Sequence, residues 1–227
     1  MTATVPTPTV ATAPVAPPVD QPTGSGLRRA VQVALPAAVG GLLTAAVLTD
    51  PGAANEGREM VETYAANLDQ LQWHVLFLHI AYGAWGLIPI ALSPLVRGRG
   101  RRLMNLAAAL GFVVMVSMPG LMLSDMFIAA VANEHGLDAA MKLYDDMPSD
   151  QWAIKAYVVP GIVSMLLALP VTFAALARAR RTPWWAVVPA LLVLPTFAAF
   201  GAAGVGIVVP AALLVGLSVL VFRGTRG

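Results

Sequence analysis

The stretch WHVLFLHIAYGAWGLIPIALSPLVRGRGRRLMNLAAALGFVVMVSMPGLMLSDMFIAAV, residues 73–131, decides the fold of this chain. It contains two apolar runs, 73–96 and 103–131, which are separated by a strip of four arginines at 97–102. Each run is longer than the roughly 20 residues that an α-helix needs to cross the hydrocarbon core of a bilayer. The stretch therefore predicts two antiparallel transmembrane helices joined by a short basic loop.

Four further apolar runs extend the same pattern to six helices. They cover residues 30–49, 152–177, 184–200 and 207–222. The last two form one apolar stretch that is too long for a single crossing, and we expect Gly201, Gly204 and Gly206 to supply a turn between them. The first run follows Arg28 and Arg29 as a signal peptide would, but its length favours a retained helix.

The composition indicates that the solvent of this domain is lipid. Of the 227 residues, 58% are hydrophobic and only 11% are charged, whereas about a quarter are charged in soluble domains. The absence of cysteine excludes disulfides and thiolate metal ligands. We therefore predict an all-α transmembrane domain at 27–227, preceded by a disordered cytoplasmic tail at 1–26 that is rich in Pro, Thr, Val and Ala.

The charged residues are sorted between the gaps that separate the apolar runs. Eleven of the 14 basic residues lie at 28–29, 97–102, 178–181 and 223–226, and ten of the 12 acidic residues lie at 50–69 and 134–150. Because basic loops stay in the cytoplasm, we expect a multi-pass plasma-membrane protein with both termini inside and acidic outer loops at 50–72 and 132–151. These basic strips adjoin apolar runs, so we expect the lipid bilayer, and no nucleic acid, as their partner. Both outer loops carry helix-like apolar spacing, at 56–70 and 133–144.

Asp125 is the single acidic residue inside an apolar run. A charge at the bilayer centre is disfavoured by about 2.5–3.5 kcal/mol, so Asp125 needs a partner or water. His79 and Asp125 each lie six residues from the outer end of their runs, at a depth of about 9 Å, and we predict that they meet. Lys155 is a further candidate for this ligand or proton site, although a lysine so near the surface can also extend to the headgroups. The pair would form either a functional site or only a lock between two helices.

The histidines give little support for a metal or a haem. His74 and His79 are five residues apart, which places them about 140° apart around a helix, so they do not readily chelate one ion. A zinc site would need His79 and Asp125 together with His135 or Glu134. Haem would need axial ligands from two spans, and no histidine lies in the last four. We expect neither a metal nor a cofactor.

Two further patterns concern methionine and proline. Met115, Met118, Met122 and Met126 form one stripe, which suits either Cu(I) passage or, as we favour, the filling of gaps between helices. Each span contains proline, which removes a backbone hydrogen bond. The hinge candidates are Pro119 with Gly120 and Pro160 with Gly161.

No sequence motif specifies a reaction: the chain has no P-loop, HExxH or Gly-x-Ser-x-Gly pattern. Our leading hypothesis is binding or transport of a small apolar or proton-coupled solute through an outward-facing polar site. One alternative is a structural or accessory subunit that docks another membrane protein. The other is an intramembrane enzyme that uses His79 and Asp125 as an acid/base pair on a lipid-soluble substrate. Whether the chain is an enzyme stays open at this point.

Overall fold

The computed structural model describes residues 25–146, 152–200 and 204–225. This part of the chain consists of α-helices, two 3₁₀ turns (Ser93–Leu95 and Trp184–Ala186) and short connections, and it contains no strand. The helices are α1 (Ser25–Leu48), α2 (Gly57–Ala66), α3 (Leu68–Leu92), α4 (Arg101–Leu121), α5 (Leu123–His135), α6 (Leu137–Asp146), α7 (Trp152–Arg178), α8 (Val187–Phe200) and α9 (Gly204–Gly224). The prediction of an all-α fold is confirmed.

Four stretches of the described chain are long and apolar enough to cross a membrane. They are Gly26–Leu48, Leu68–Leu95, Arg101–His135 and Ile154–Arg178. The two remaining predicted spans correspond to shorter apolar helices, Trp184–Phe197 and Val208–Gly224. The structure thus contains four helical stretches that are long and apolar enough to cross a membrane, and each overlaps one of the predicted runs.

Two predicted segments, the N-terminal tail and the glycine turn, fall largely outside the described residues. The disordered tail was predicted at 1–26, of which 1–24 are not described, while Ser25 and Gly26 already belong to α1. Gly201 of the predicted turn is likewise not described, and Gly204 and Gly206 lie in the first turn of α9. These two glycines belong to α9, and the part of the predicted turn at 201–203 lies outside the described residues.

Six helices form a closed ring in the order α1, α3, α4, α7, α8 and α9, with α9 packed against α1. Their inward sides share one apolar core, whose largest fully buried side chains include Trp85 and Phe173. Large apolar side chains such as Phe112, Leu87 and Val188 are exposed on the outside of the same helices. Water would disfavour so much exposed apolar surface, whereas lipid tails accommodate it.

Glycines set the distance between the helices on either side of α4. A Cβ on Gly86 of α3 would collide with the carbonyl oxygen of Gly111 of α4, and the reverse also holds. On the other side, a Cβ on Gly161 of α7 would lie 2.8 Å from the Cβ of Ser117. Small residues let helix backbones approach closely where lipid supplies no hydrophobic force between them. Helix α4 is therefore held tightly between α3 and α7.

One end of the ring is capped by α2, α5 and α6. Val61, Ile128 and Ala140, one from each of these helices, form a buried apolar cluster, and Arg58 pairs with Asp138 at 2.8 Å on the surface. Helices α2 and α6 correspond to the helical segments predicted in the two acidic loops. We call this end of the molecule the acidic end.

The opposite end gathers the arginine strips. The Nε of Arg29 donates to the hydroxyl of Thr225 at 3.2 Å, and Arg181 donates to the carbonyl oxygen of Gly224 at 3.4 Å. Arg97 borders the same cavity as Arg29 and Arg181. The strips that follow α3 and α7 and the start of α1 thus converge on the end of α9, and we call this the arginine end.

Candidate functional site

The candidate site at the acidic end begins with a break in the third predicted span. Helix α4 ends at Leu121 and α5 begins at Leu123. Pro119 has no N–H for the preceding turn, and the chain tightens here, with the N–H of Met122 bonded to the carbonyl oxygen of Pro119 at 3.3 Å. The break places Asp125 in the first turn of α5, where the helix dipole favours a carboxylate.

Asp125 is half-buried, and four polar side chains from three other parts of the chain interact with it electrostatically. His74 and Asp50 lie within electrostatic range of its carboxyl, and Asp125 in turn acts on Tyr64 and Tyr82. We call Asp50, Tyr64, His74, Tyr82 and Asp125 the acidic-end cluster. Among the described residues, no ion pair joins either of its carboxylates to lysine or arginine. His74 is the basic side chain that acts electrostatically on Asp125 in the described part of the chain.

His74 is fixed in place by the end of α1. Its side chain is only 6% exposed, and its Nδ1 lies 2.8 Å from the carbonyl oxygen of Ala46. Because a carbonyl oxygen can only accept, Nδ1 carries the hydrogen in this bond. The other ring nitrogen, Nε2, is left for a second partner. His74 is thus oriented by α1, with its imidazole within electrostatic range of Asp125.

Tyr64 of α2 is buried at the acidic end, beside the cluster. Burial raises the pKa of its hydroxyl well above the usual value, and the carboxylates of Asp50 and Asp125 raise this pKa further. The hydroxyl therefore stays protonated at physiological pH and can donate a hydrogen bond. The turn that carries Asp50 packs on this ring: a Cβ on Gly52 would lie 2.6 Å from Cε1 of Tyr64, and the Gly52 N–H donates to Asp50 Oδ1 at 2.9 Å.

His79 lies on a different side of α3 and is exposed. Its Nδ1 donates to the carbonyl oxygen of Pro119 at 3.2 Å. The same side chain lines a cavity of about 710 Å³ near the acidic end, together with Asp69, Gln72, Trp73, Leu123 and Met126. This cavity, which we call the outer cavity, reaches the turn of α5 that carries Asp125.

The predicted contact between His79 and Asp125 is not formed: no hydrogen bond or ion pair joins them in the described part of the chain. The prediction matched the two residues by depth and left out the rotation around α3. His74 and His79 differ by about 140° around that helix, so a neighbour that meets one does not meet the other. His74, on the other side of α3, is the histidine within electrostatic range of Asp125, and its position around the helix relative to His79 is the signal in the sequence.

Lys155 lies in the first turn of α7 and is exposed. Within the described residues it makes no hydrogen bond or ion pair with His79 or Asp125. This placement fits a lysine that extends to the headgroups. Its part in the predicted site therefore has no support from its contacts.

The two hinge candidates differ in structure. Pro119 and Gly120 lie in the last turn of α4, directly before the break, whereas Pro160 and Gly161 lie inside α7, which continues from Trp152 to Arg178. Tyr157 of α7 donates a hydrogen bond to the carbonyl oxygen of Val116, one turn before the break. The kink in α4 is thus contacted from both sides, by His79 and by Tyr157.

The metal-binding alternatives find no ligand set in the part of the chain that the structure describes. That part contains no group of three or more His, Asp or Glu residues placed to hold one ion. Met118 is buried in the bundle core, and Met122 and Met126 pack against the apolar cluster of Tyr64, Leu71 and Val75. These contacts are those expected of methionines that fill gaps between helices.

Comparison with known proteins identifies no relative: no family model matches this chain, and neither a curated protein nor a solved structure is significantly similar to it.

Proposed function

We propose that this chain is a plasma-membrane protein of six spans, with both termini in the cytoplasm, that binds or transports a small lipophilic cation in exchange for protons. The topology is supported by the separation of charge, since the arginine end would face the cytoplasm and the acidic end the outside. Helices α8 and α9 complete the ring and supply the fifth and sixth spans. Trp184 and Trp185, each 60% exposed beside the arginine end, fit an aromatic belt at the inner interface.

One observation carries the proposed function: the acidic-end cluster has more carboxyl groups than positive partners. The imidazole of His74 and the carboxylate of Asp50 both act electrostatically on Asp125. With His74 protonated and both acids ionised, the three groups retain one negative charge. A half-buried site with such a deficit favours uptake of a proton or another cation.

The outer cavity fits a solute that is both apolar and positively charged. Trp73, Leu76, Leu123 and Met126 supply apolar contact area, while Asp69, Gln72 and His79 supply polar atoms. A cation held over the indole of Trp73 gains a cation–π interaction, and the carboxylate of Asp69 adds an electrostatic attraction. A lipophilic cation would use both kinds of lining.

In this mechanism Asp125 exchanges a proton for the charge of the solute. His74 stabilises the ionised carboxylate before the solute arrives, and the hydroxyl of Tyr64 holds the neighbouring carboxylate of Asp50 by a hydrogen bond. His79 connects the outer cavity to the kink at Pro119, so bending at Pro119 and Gly120 would couple occupancy of the cavity to the position of α5. Protons compete with the cation, so binding tightens as pH rises.

Tetraphenylphosphonium is a suitable probe, because it is a delocalised cation with a large apolar surface. Equilibrium dialysis against the purified full chain in detergent, at about pH 5 and about pH 8, compares a condition near the ordinary pKa of a carboxyl group with one well above it. We expect saturable binding that is tighter at the higher pH. Asp125→Asn removes a proton-exchanging group and should weaken binding and reduce this pH dependence.

Asp138→Asn is the matched control, because Asp138 is an exposed acid of the same end that pairs with Arg58. It should bind the probe as the wild type does at both pH values. Unchanged affinity and pH dependence in a folded Asp125→Asn protein would remove Asp125 from the site. Failure of the wild type to bind tetraphenylphosphonium saturably would exclude a lipophilic cation as the solute.

The accessory-subunit alternative assigned the outer helices and the methionine stripe to a docking surface. In the structure, Val61 of α2 and Ala140 of α6 are buried against Ile128 of α5, and Met118 is buried in the core. These side chains are occupied by contacts within the chain, so they lend that alternative no support. Copurification in mild detergent tests it, since a stoichiometric partner protein would favour the accessory role.

A further inference from the structure

The arginine end contains a cavity of about 350 Å³ that the proposed function does not use. It lies where the start of α1, the connection after α3, the connection after α7 and the end of α9 meet. Its polar lining consists of Arg29, Gln32, Arg97, Arg181 and Thr225. We call it the arginine cavity. It is more than ten times larger than the roughly 30 Å³ that one water molecule occupies in the liquid.

Hydrogen bonds fix the side chains that line the arginine cavity, but they leave several N–H donors of its arginines without a partner. Arg29 uses Nε for the hydroxyl of Thr225, and Arg181 uses Nη1 for the carbonyl oxygen of Gly224. Gln32 is only 5% exposed and is anchored by a 2.8 Å hydrogen bond from Nε2 to the carbonyl oxygen of Ala91. A guanidinium group has five N–H donors, so both arginines retain several for a ligand.

The positive charge of this cavity has no counter-charge in the described part of the chain. Its lining contains no carboxylate, and neither described ion pair involves Arg29, Arg97 or Arg181. Arg97 makes no hydrogen bond to the residues that the structure describes. Three guanidinium groups around one space match the oxygen geometry of a phosphate group better than that of a single-atom anion.

A second, larger cavity of about 1060 Å³ adjoins the first and shares Arg181 with it. Arg180, Arg223, Trp184 and Trp185 line this second cavity, which we call the tryptophan cavity. Thr182 also lines it, and its buried hydroxyl has no hydrogen-bond partner in the described chain. The lining thus passes from guanidinium groups to exposed indoles, which is the order in which a lipid presents its headgroup and its glycerol region.

We propose that the arginine cavity binds the phosphate group of an anionic phospholipid, whose glycerol region lies along the tryptophan cavity. Inorganic phosphate offers the same oxygen atoms to the arginines but would gain nothing from Trp184 and Trp185. A zwitterionic phospholipid carries a cationic group next to its phosphate, which the three arginines would repel. This site is independent of the cation site at the opposite end of the molecule.

Native mass spectrometry of the detergent-purified full chain, titrated with phosphatidylglycerol or phosphatidylcholine, tests this site. Arg97→Gln is the informative variant, because Arg97 is exposed and holds no described residue in place. We expect it to weaken phosphatidylglycerol binding about fivefold, the usual effect of one basic residue near an anionic lipid surface. Arg102→Gln is the matched control: it removes the same charge at the same end, outside both cavities.

Three results would overturn the proposal. Equal weakening in Arg97→Gln and Arg102→Gln would show a diffuse surface attraction and no cavity site. Equal affinity of the wild type for phosphatidylcholine and phosphatidylglycerol would exclude selection of an anionic headgroup. Displacement of bound phosphatidylglycerol by an equimolar concentration of inorganic phosphate would identify free phosphate, instead of a lipid, as the ligand.

Discussion

The imidazole of His79 donates a hydrogen bond from Nδ1 to the carbonyl oxygen of Pro119, at 3.2 Å, and so connects α3 to the kinked end of α4. Tyr157 of α7 makes the corresponding contact one turn earlier, with the carbonyl oxygen of Val116. Pro119 lacks the N–H that would bond the carbonyl oxygen of Met115, and the two side chains bond the nearby carbonyl oxygens of Val116 and Pro119. The kink therefore depends on the helices at both sides of α4.

Removing these contacts should destabilise the bundle. Tyr157→Phe deletes one hydroxyl and His79→Ala deletes one imidazole, and we expect each to lower the free energy of unfolding by about 1 kcal/mol. Thermal unfolding of the purified protein in detergent measures this loss. Because both side chains act on the same kink, the double variant should differ from the sum of the single effects. Melting curves that match the wild type for both single variants would show that these two hydrogen bonds do not stabilise the kink.

A second prediction concerns which histidine interacts with Asp125. In a double-mutant cycle, His74→Gln with Asp125→Asn should give a coupling energy of about 0.5 kcal/mol or more, as found for residues that share a network. The cycle with His79→Gln should give a coupling within about 0.3 kcal/mol of zero, because His79 contacts Pro119 instead. Stronger coupling through His79 would contradict the arrangement of the acidic-end cluster.

The features that sequence predicted well are those set by a single helix or by composition. The apolar runs correspond to helices because a bilayer requires every backbone N–H and C=O to be bonded within the chain. The run at 103–131 corresponds to two helices, since Pro119 removes a donor one turn before Met122. The proline was recognised as a hinge candidate, but propensity alone does not say whether a proline breaks a helix: Pro160 stays inside α7.

The candidate site was harder to predict because it depends on how helices rotate against each other. The sequence singles out Asp125 as an acid inside an apolar run, but its neighbours come from α2, α3 and the turn after α1. Asp50 and Tyr64 lie in a loop and a cap helix, where a polar residue is ordinary and gives no signal. The rotation of α3 is fixed by the approach of Gly86 to Gly111, which only the packed bundle shows.

The close contact between Gly86 and Gly111 can be tested against a matched control variant on α3. Gly86→Ala would bring a Cβ against the backbone of Gly111, so we expect separation of α3 from α4 and a loss of about 1–3 kcal/mol, as for overpacked cores. Gly83→Ala meets nothing within 4 Å, and the better helix propensity of alanine should raise stability by up to about 1 kcal/mol. Thermal unfolding in detergent should therefore shift in opposite directions. A stabilised Gly86→Ala variant would contradict the close crossing.

Arg180 holds a backbone conformation that normally belongs to glycine. It follows α7 with φ of 59°, and the N–H groups of Arg180 and Arg181 bond to the carbonyl oxygens of Ala177 and Leu176 at 2.9 Å. These two bonds form the Schellman motif, in which glycine is the preferred residue at the left-handed position. An arginine there costs about 1–2 kcal/mol of steric strain, so a contribution of its side chain to the tryptophan cavity would account for its presence.

Arg180→Gly should therefore raise stability by about 1 kcal/mol while weakening the binding of phosphatidylglycerol. Thermal unfolding and the lipid titration by native mass spectrometry measure the two effects on one preparation. Arg178→Gly removes the same charge from the last residue of α7, where glycine costs up to about 1 kcal/mol and where the side chain lines neither cavity. It should lower stability and leave lipid binding close to the wild-type value. If Arg180→Gly gains stability and binds the lipid as the wild type does, the arginine at this position has no role in the site.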